Sequence, residues 1–406
     1  MPDAKLAVAI VGAGIHAAVV AVRLIHEWPA LAQSLRLVDP SGACLSDWQR
    51  RTRGQGMETM RSPGAHHLDV GPESLLDYAR AHGRERDLFP PYHRPSLQLF
   101  MDHSRWVVAR HGLDALVVPA TVADVEPTGD GYRLHAPDGT TIDARTLILA
   151  PGMRGQERIP AWAAGLARHD PRLAIHVESL DLRTEHVVGE RVLVVGGGLS
   201  ASTLADAADE RGARVTLMSR HRLEARLFDA DPGWVGPKYL SIFQREPDPD
   251  ARLRMIWRAR GRGSVTPELL ERLRRHQSDG RIEILEETAI LAIRYDEGQG
   301  TVNVTFDRHR REEQFHRVWC CTGFAPSLEG LPWLGPLSRV PQCQGRPLVG
   351  PTLELAPECF VTGWLAELWV GPAARNISGA RQAARIIADV LRSRRAALGE
   401  ALGEAA

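Results

Sequence analysis

Short apolar runs that end in glycine punctuate this chain, and two of them pass directly into helical spacing. Leu6 to Val11 leads into Gly12-Ala13-Gly14-Ile15-His16-Ala17, after which Ala17, Val20, Ala21 and Leu24 fall on one helical face. Arg191 to Val195 leads into Gly196-Gly197-Gly198-Leu199-Ser200-Ala201, followed by Leu204 and Ala208. Continuous apolar runs are the mark of strands buried on both faces of a parallel sheet, and the spacing after each glycine cluster is that of a packed helix. Each unit closes with a further apolar run, Leu35 to Val38 and Arg214 to Met218. The pattern predicts two complete strand-helix-strand units.

Other strands follow from the same reading. Tyr132 to His135 and Thr141 to Leu149 flank Asp138-Gly139, a hairpin signal. Thr146 to Gly152 ends a strand in a small-residue turn, and Arg317 to Gly323 repeats that ending after a β stretch at Gly300 to Phe306. One such ending precedes the second glycine cluster and one follows it. This predicts an α/β protein in which one Rossmann-like domain is inserted into another: residues 1–155, 156–322 and 323–406, with crossovers near Gly152 to Pro160 and Cys321 to Pro326. Phe360 to Gly363 reads as a last strand, followed by a long helix from about Asn376 to Arg392.

The glycine clusters carry the first chemistry. In such a turn the first glycine (Gly12, Gly196) makes the bend and the second (Gly14, Gly198) lets backbone approach a pyrophosphate. The small residue at the third place (Ala17, Ala201) lets the helix sit against its strand. Phosphate then rests on free N–H groups at the positive end of the helix, where Ser200 would join it in the second unit. Asp39 stands 25 residues after Gly14, near the ~20 expected for a carboxylate that binds a ribose diol. That favours FAD or NAD at the first turn. The second unit has Ser219, Arg220, His221 and Arg222 instead, and guanidinium forks suit a 2′-phosphate. NADPH is expected there, on Gly196, Gly198, Ser200, Ala201, Arg220 and Arg222. The N-terminus of the last helix, at Asn376 and Ile377, would favour the anionic reduced form of a flavin.

Composition narrows the field. Lys and Arg number 50 and balance 50 Asp and Glu, so nucleic acid is not an expected ligand. No apolar stretch reaches the ~18 residues of a membrane helix. The first strand leaves no room ahead of it for a cleavable signal, and the expectation is a cytoplasmic enzyme. Cys44, Cys320, Cys321, Cys343 and Cys359 show neither CxxC nor zinc-ligand spacing, which argues against disulfide reduction. His66-His67 has no acidic or cysteine partner at ligand spacing, so no metal site is expected. Arg252 to Arg262 follows Glu246, Asp248 and Asp250 and reads as a self-paired surface.

Taken together, the two glycine clusters and the strand ends at Thr146 to Gly152 and Val318 to Gly323 resemble the flavoproteins that bind two dinucleotides. Within them the chain is most similar to the class B flavin monooxygenases, particularly the N-hydroxylating enzymes similar to ornithine and lysine N-monooxygenases. Gly56-Met57, Ser74-Leu75, Tyr78, Gly83-Arg84 and Arg94-Pro95 fall in the order that branch uses. Departures stand beside the matches. Asp170 and Arg172 occupy the Phe and Gly places of a linker whose His place is His176. Arg53 and Gly54 replace the Trp and His before Gly-Met, and Trp364 follows Gly363 where the reductase branch has Asp.

The resemblance implies FAD held by Gly12, Gly14, Ala17, Asp39, Trp48, Met57, Gly152, Gly323, Asn376 and Ile377. It further implies NADPH as reductant and dioxygen activation through a peroxyflavin that oxygenates an amine or sulfur of a small molecule. Gln55 and Arg53 are candidates to hydrogen-bond the flavin or peroxide, and Arg61 with Ser62 to meet a phosphate or anionic substrate. Two alternatives share these residues: a flavin-dependent NAD(P)H dehydrogenase with a quinone, metal or protein acceptor, and a non-catalytic FAD-binding redox sensor. The substrate and the oligomeric state are not written in the sequence.

Overall fold

The computed structural model describes residues 5–397. Two separate sheets organise it, one around each glycine turn, the first mixed and the second wholly parallel. In the first, the order is Glu354–Ala356, Cys359–Val361, Thr141–Leu149, Leu6–Val11, Leu35–Val38 and Val117–Val118, and the Asp124–Thr128 and Gly131–His135 hairpin extends from Thr141–Leu149. Leu6–Val11 lies in the middle, with Val8 beside Leu35 on one side and Thr146 on the other. Val8 and Ile10 pack towards the helices Ile15–Glu27 and Ile377–Ala397, while Ala9 and Val11 pack on the opposite face. Both faces are therefore covered, as the unbroken apolar run requires.

The second sheet runs Ile282–Leu285, Arg214–Met218, Arg191–Val195, Arg317–Cys320 and Ala174–His176, every neighbouring pair parallel. All its strands fall, in sequence, between Thr141–Leu149 and Glu354–Ala356 of the first sheet. A small antiparallel sheet, Ile290–Asp296, Thr301–Phe306 and Glu312–Phe315, packs against it. The chain passes between the two sheets through two segments that pair with each other: Glu157 bridges Phe324, Arg158 N–H donates to the Gly323 carbonyl, and Ala325 N–H donates to that of Gln156.

Candidate functional site

Both glycine turns are fixed by backbone collisions. A Cβ on Gly12 (φ +109°) would lie 2.4 Å from the Ala150 carbonyl oxygen, and one on Gly196 would lie 2.5 Å from that of Cys321. In each unit a neighbouring strand thus passes too close for any side chain. Gly14 differs: nothing lies within 4 Å of where its Cβ would be, and its φ is −76°. The open face of Gly14 is at the N-terminus of the Ile15–Glu27 helix, whose first N–H groups have no partner within the helix. Asp39, at the end of the second strand, accepts from Ala13 N–H and Ser41 N–H at 2.9 Å each. That braces the turn and leaves each oxygen a further lone pair.

The carboxyl ends of the first sheet open into a cavity of about 420 Å³. Gly14, His16, Gly152, Thr362, Asn376 and Ile377 line it from the first sheet and its helices. His16 Nδ1 pairs with Thr362 Oγ1 at 2.9 Å, and Trp364 Nε1 donates to the Gly152 carbonyl at 3.0 Å, so three strand ends are tied together. Glu178, Phe324 and the segment Phe228 to Val235, from the part of the chain carrying the second sheet, supply the remaining wall. These features fit a dinucleotide with an aromatic ring system: a glycine face left open, unpaired helical N–H groups, a carboxylate at the end of the second strand and an aromatic-walled space.

Side chains placed in this cavity include Trp48, Met57 and Arg61. Two others do not reach it. Ser46–Gly54 is a helix, and Arg53 sits exposed on its outer side. Gln55 donates to the Val177 carbonyl at 3.3 Å and lines a second cavity of about 290 Å³, with Ser200, Thr203 and Arg272. Met57 lines both cavities. The helix presents Arg51 in Arg53's stead, three residues from Trp48, lying between Asp47 and Glu178. The terminal helix begins as expected but runs on to Ala397. Gly323 is not part of the cavity wall; its neighbour Phe324 is.

Arg61 needs a correction as well. All its donors are used within the chain, on the carbonyls of Leu227, Arg226 and Ser264, on Ser264 Oγ and on Asp229 at 2.7 Å. It cannot offer a fork to a phosphate; it fixes the Phe228 to Val235 wall. At the second turn, Gly198 is approached by Gly263, and His221 Nε2 lies 3.1 Å from the Arg262 carbonyl. Arg220 is exposed and has no ion pair among the described residues, whereas Arg222 lies 3.4 Å from Glu287. Arg252 is not a freely solvated surface residue, since it donates to the carbonyls of Gln244, Glu246 and Leu368.

Four histidines around the cavity are held neutral. Burial pushes His16, His66 and His67 down to about 4 and His103 to about 3. His67 is fully buried, whereas its neighbour His66 lines the cavity. These values lie below that of the unfolded chain, ~6.5, so the unfolded state binds protons that the folded state refuses as pH falls from neutrality towards 4. Stability present above ~6.5 is therefore lost through that window, at ~1.4 kcal/mol per pH unit for each proton taken up. Urea titrations between pH 7 and 5 should yield a falling stability with an uptake of roughly three to four protons near pH 5. A flat profile would contradict neutral burial. The five cysteines are free; burial pushes Cys320 up to about 12 and Cys321 higher still, which leaves them poor nucleophiles. Among the described residues no group of three or more His, Cys, Asp or Glu side chains is placed to hold a metal ion, and no helix is long and apolar enough to cross a membrane.

Comparison with known proteins agrees with this geometry. A family model described as FAD-NAD(P)-binding matches residues 9–154. The ornithine N-hydroxylase of Kutzneria sp. 744, in complex with reduced FAD, NADP⁺ and L-ornithine, superposes with a TM-score of 0.75 at 18% identity, over 96% of this chain and 100% of that one. The chain has the fold of the flavin-dependent N-hydroxylases. The cadaverine monooxygenase of Erwinia amylovora, bound to FAD, gives a TM-score of 0.73 at 15% identity, over 95% of this chain and 94% of that one. An L-lysine N6-monooxygenase of Mycobacterium sp. (strain MCS) is 27% identical over 322 residues, 71% of this chain. The chain spans 66% of that relative's length.

Proposed function

We propose that this protein is an FAD-dependent, NADPH-consuming monooxygenase that hydroxylates the nitrogen of a small-molecule amine. One observation carries the reading: the open face of Gly14, the strand ends at Gly152 and Thr362, and a wall contributed by the second unit all meet in a single cavity. The similarity in fold to enzymes of ornithine and cadaverine, and in sequence to one of lysine, supports it. We infer that the chain divides into 1–155, 156–322 and 323–406, a division supported by the paired crossing segments around Glu157 and Phe324.

In this reading Gly12, Gly14, Ala17 and Asp39 hold the dinucleotide end of FAD, and Trp48, Met57, Gly152, Asn376 and Ile377 surround its ring. Gly196, Gly198, Ser200, Ala201 and Arg220 hold NADPH, with Arg222 beside them. Bound FAD supplies the electron transfer and the activation of dioxygen. The protein's own contribution is placement and exclusion of water. Trp48, Met57, Met60 and Phe228 keep the cavity apolar, and the neutral His16 and His66 add no proton to an amine, which must present its nitrogen lone pair. The overall change is R–NH₂ + O₂ + NADPH + H⁺ to R–NHOH + NADP⁺ + H₂O. One oxygen atom enters the new N–O bond and the other leaves as water.

The purified, FAD-loaded protein should consume NADPH under air and release a hydroxylamine in step with it when supplied with a suitable amine. Rapid quinone reduction without hydroxylamine would instead establish a dehydrogenase, and no NADPH oxidation with any acceptor a non-catalytic flavoprotein. Arg220→Ala is expected to lower the preference for NADPH over NADH by about tenfold to a hundredfold. It removes a charge-assisted contact worth ~1.5–3 kcal/mol. Equal coenzyme ratios for wild type and variant would remove Arg220 from the site.

A further inference from the structure

We propose that Arg94, a residue of the first unit, grips the pyrophosphate of NADPH in the second cavity, so that the coenzyme is held by both units at once; the inference rests on the coenzyme reading above. The Leu199–Glu210 helix starts after Gly198 with no side-chain cap, so its first N–H groups have no partner within the helix. One side of that helix end is closed. Gly263 (φ +102°) rests on it so tightly that a Cβ there would lie 3.2 Å from Gly198 Cα and 3.5 Å from Gly198 N, and His221 Nε2 lies 3.1 Å from the neighbouring Arg262 carbonyl. The second cavity, about 290 Å³ and not lined by Gly263, opens at the same helix end: Leu199, Ser200 and Thr203 face the Gln55 to Thr59 segment and Arg94 across it. Arg94–Pro95 is a short strand fixed beside that segment, since Met60 N–H donates to the Pro95 carbonyl at 2.9 Å and Thr59 bridges Ser96.

Net charge does not mark this cavity. Arg272 is shared by Glu58 and Asp206, Arg275 lies 3.4 Å from Glu271, and Arg94 has Glu268 at 2.7 Å. Unspent donors do. The Arg94 side chain lines the cavity at only 4% exposure, yet among the described residues it makes a single hydrogen bond, from Nη1 to Glu268. A guanidinium carries five N–H donors, and the Nε of Arg94 is buried without a partner. Glu268 is half exposed and draws on water as well. Donors held away from water without acceptors are costly, and an anion laid across the cavity offsets that cost. A pyrophosphate offers several charged oxygens, enough to meet the helix end with one phosphate and the planar fork of Arg94 with the other. Met57 lines both cavities, so a dinucleotide lying along the second has its far end beside the flavin cavity.

Calorimetric titration of the FAD-loaded protein with NADP⁺, ADP-ribose and 2′-AMP tests this, because ADP-ribose carries the pyrophosphate without the 2′-phosphate and 2′-AMP the reverse. Arg94→Met is expected to weaken NADP⁺ and ADP-ribose by about tenfold to a hundredfold and to leave 2′-AMP unchanged. In turnover, KM should rise for NADPH and NADH together, unlike the change in their ratio expected of Arg220→Ala. Arg94→Lys keeps the charge and lacks the fork, so its affinity for ADP-ribose should fall between those of wild type and Arg94→Met; should the methionine variant fail to fold, the lysine variant alone reads the loss against wild type. ADP-ribose bound equally by wild type and the folded variants overturns the role of Arg94 and leaves the coenzyme reading standing. A parallel loss of 2′-AMP also overturns it, because a general disturbance of the second unit gives that result. Wild-type protein that binds neither NADP⁺ nor ADP-ribose overturns the coenzyme reading itself, and the role of Arg94 with it.

Discussion

Replacing Gly14 with valine is expected to give a folded protein that no longer retains FAD. The φ of −76° at Gly14 is open to any residue, and the space where a Cβ would go is empty to 4 Å. The fold itself therefore tolerates the substitution, at ~1 kcal/mol for a poor residue in the N-cap position. The branched side chain would nonetheless stand over the first N–H groups of the Ile15–Glu27 helix, where the pyrophosphate is proposed to lie. Losing two charge-assisted bonds at ~1.5–3 kcal/mol each weakens FAD binding by about a thousandfold or more. The purified variant should lack flavin absorbance and keep the wild-type far-ultraviolet circular dichroism. Gly12→Ala is the contrasting case, since its Cβ would collide with the Ala150 carbonyl and damage the strand contact whether or not a ligand is present. A yellow Gly14→Val protein with stoichiometric FAD would show that the open face serves no nucleotide.

That contrast explains what was legible in the sequence. A glycine turn between an apolar run and a helical stripe is a local event. The collisions that demand glycine at positions 12 and 196 come from the adjacent strand of the same sheet, and the strand runs announce themselves. Both sheets and the glycine turn at the centre of each follow from such signals. The helix Ser46–Gly54 gave none: it has no apolar stripe, and Leu45, which starts it, is left-handed at φ 66°. Its spacing held one clue. Trp48 and Arg51 are about 60° apart around a helix, whereas Arg53 is about 140° from Trp48, so an inward Trp48 implies an inward Arg51 and an outward Arg53. The Phe228 to Val235 wall was invisible for a different reason. It is placed by contacts with Arg61 and Tyr92, far away along the chain, and no local pattern encodes such a pairing.

Arg61→Met is expected to destabilise the protein by ~1–3 kcal/mol, the cost of leaving partly buried acceptors without their donor. The Arg61 side chain is 11% exposed and Asp229 34%, and the only other cation near Asp229 among the described residues is Arg260, at 3.8 Å. Methionine fills the space of the stem but satisfies neither Asp229 nor the carbonyls of Arg226, Leu227 and Ser264. Because those carbonyls belong to the segment that walls the cavity, the damage is expected to reach function as well as stability. FAD should stay bound, since the Gly14 turn is untouched, while the surplus of NADPH oxidised over product formed should rise as water enters. Arg61→Lys sharpens the test. A lysine retains the charge opposite Asp229 but lacks the planar fork that spans several acceptors, so it should recover part of the stability and little of the coupling. Denaturant midpoints and the ratio of hydrogen peroxide to NADPH consumed would measure the two effects. If Arg61→Met matched wild type in both, the guanidinium would not be what holds the outer wall against the first sheet.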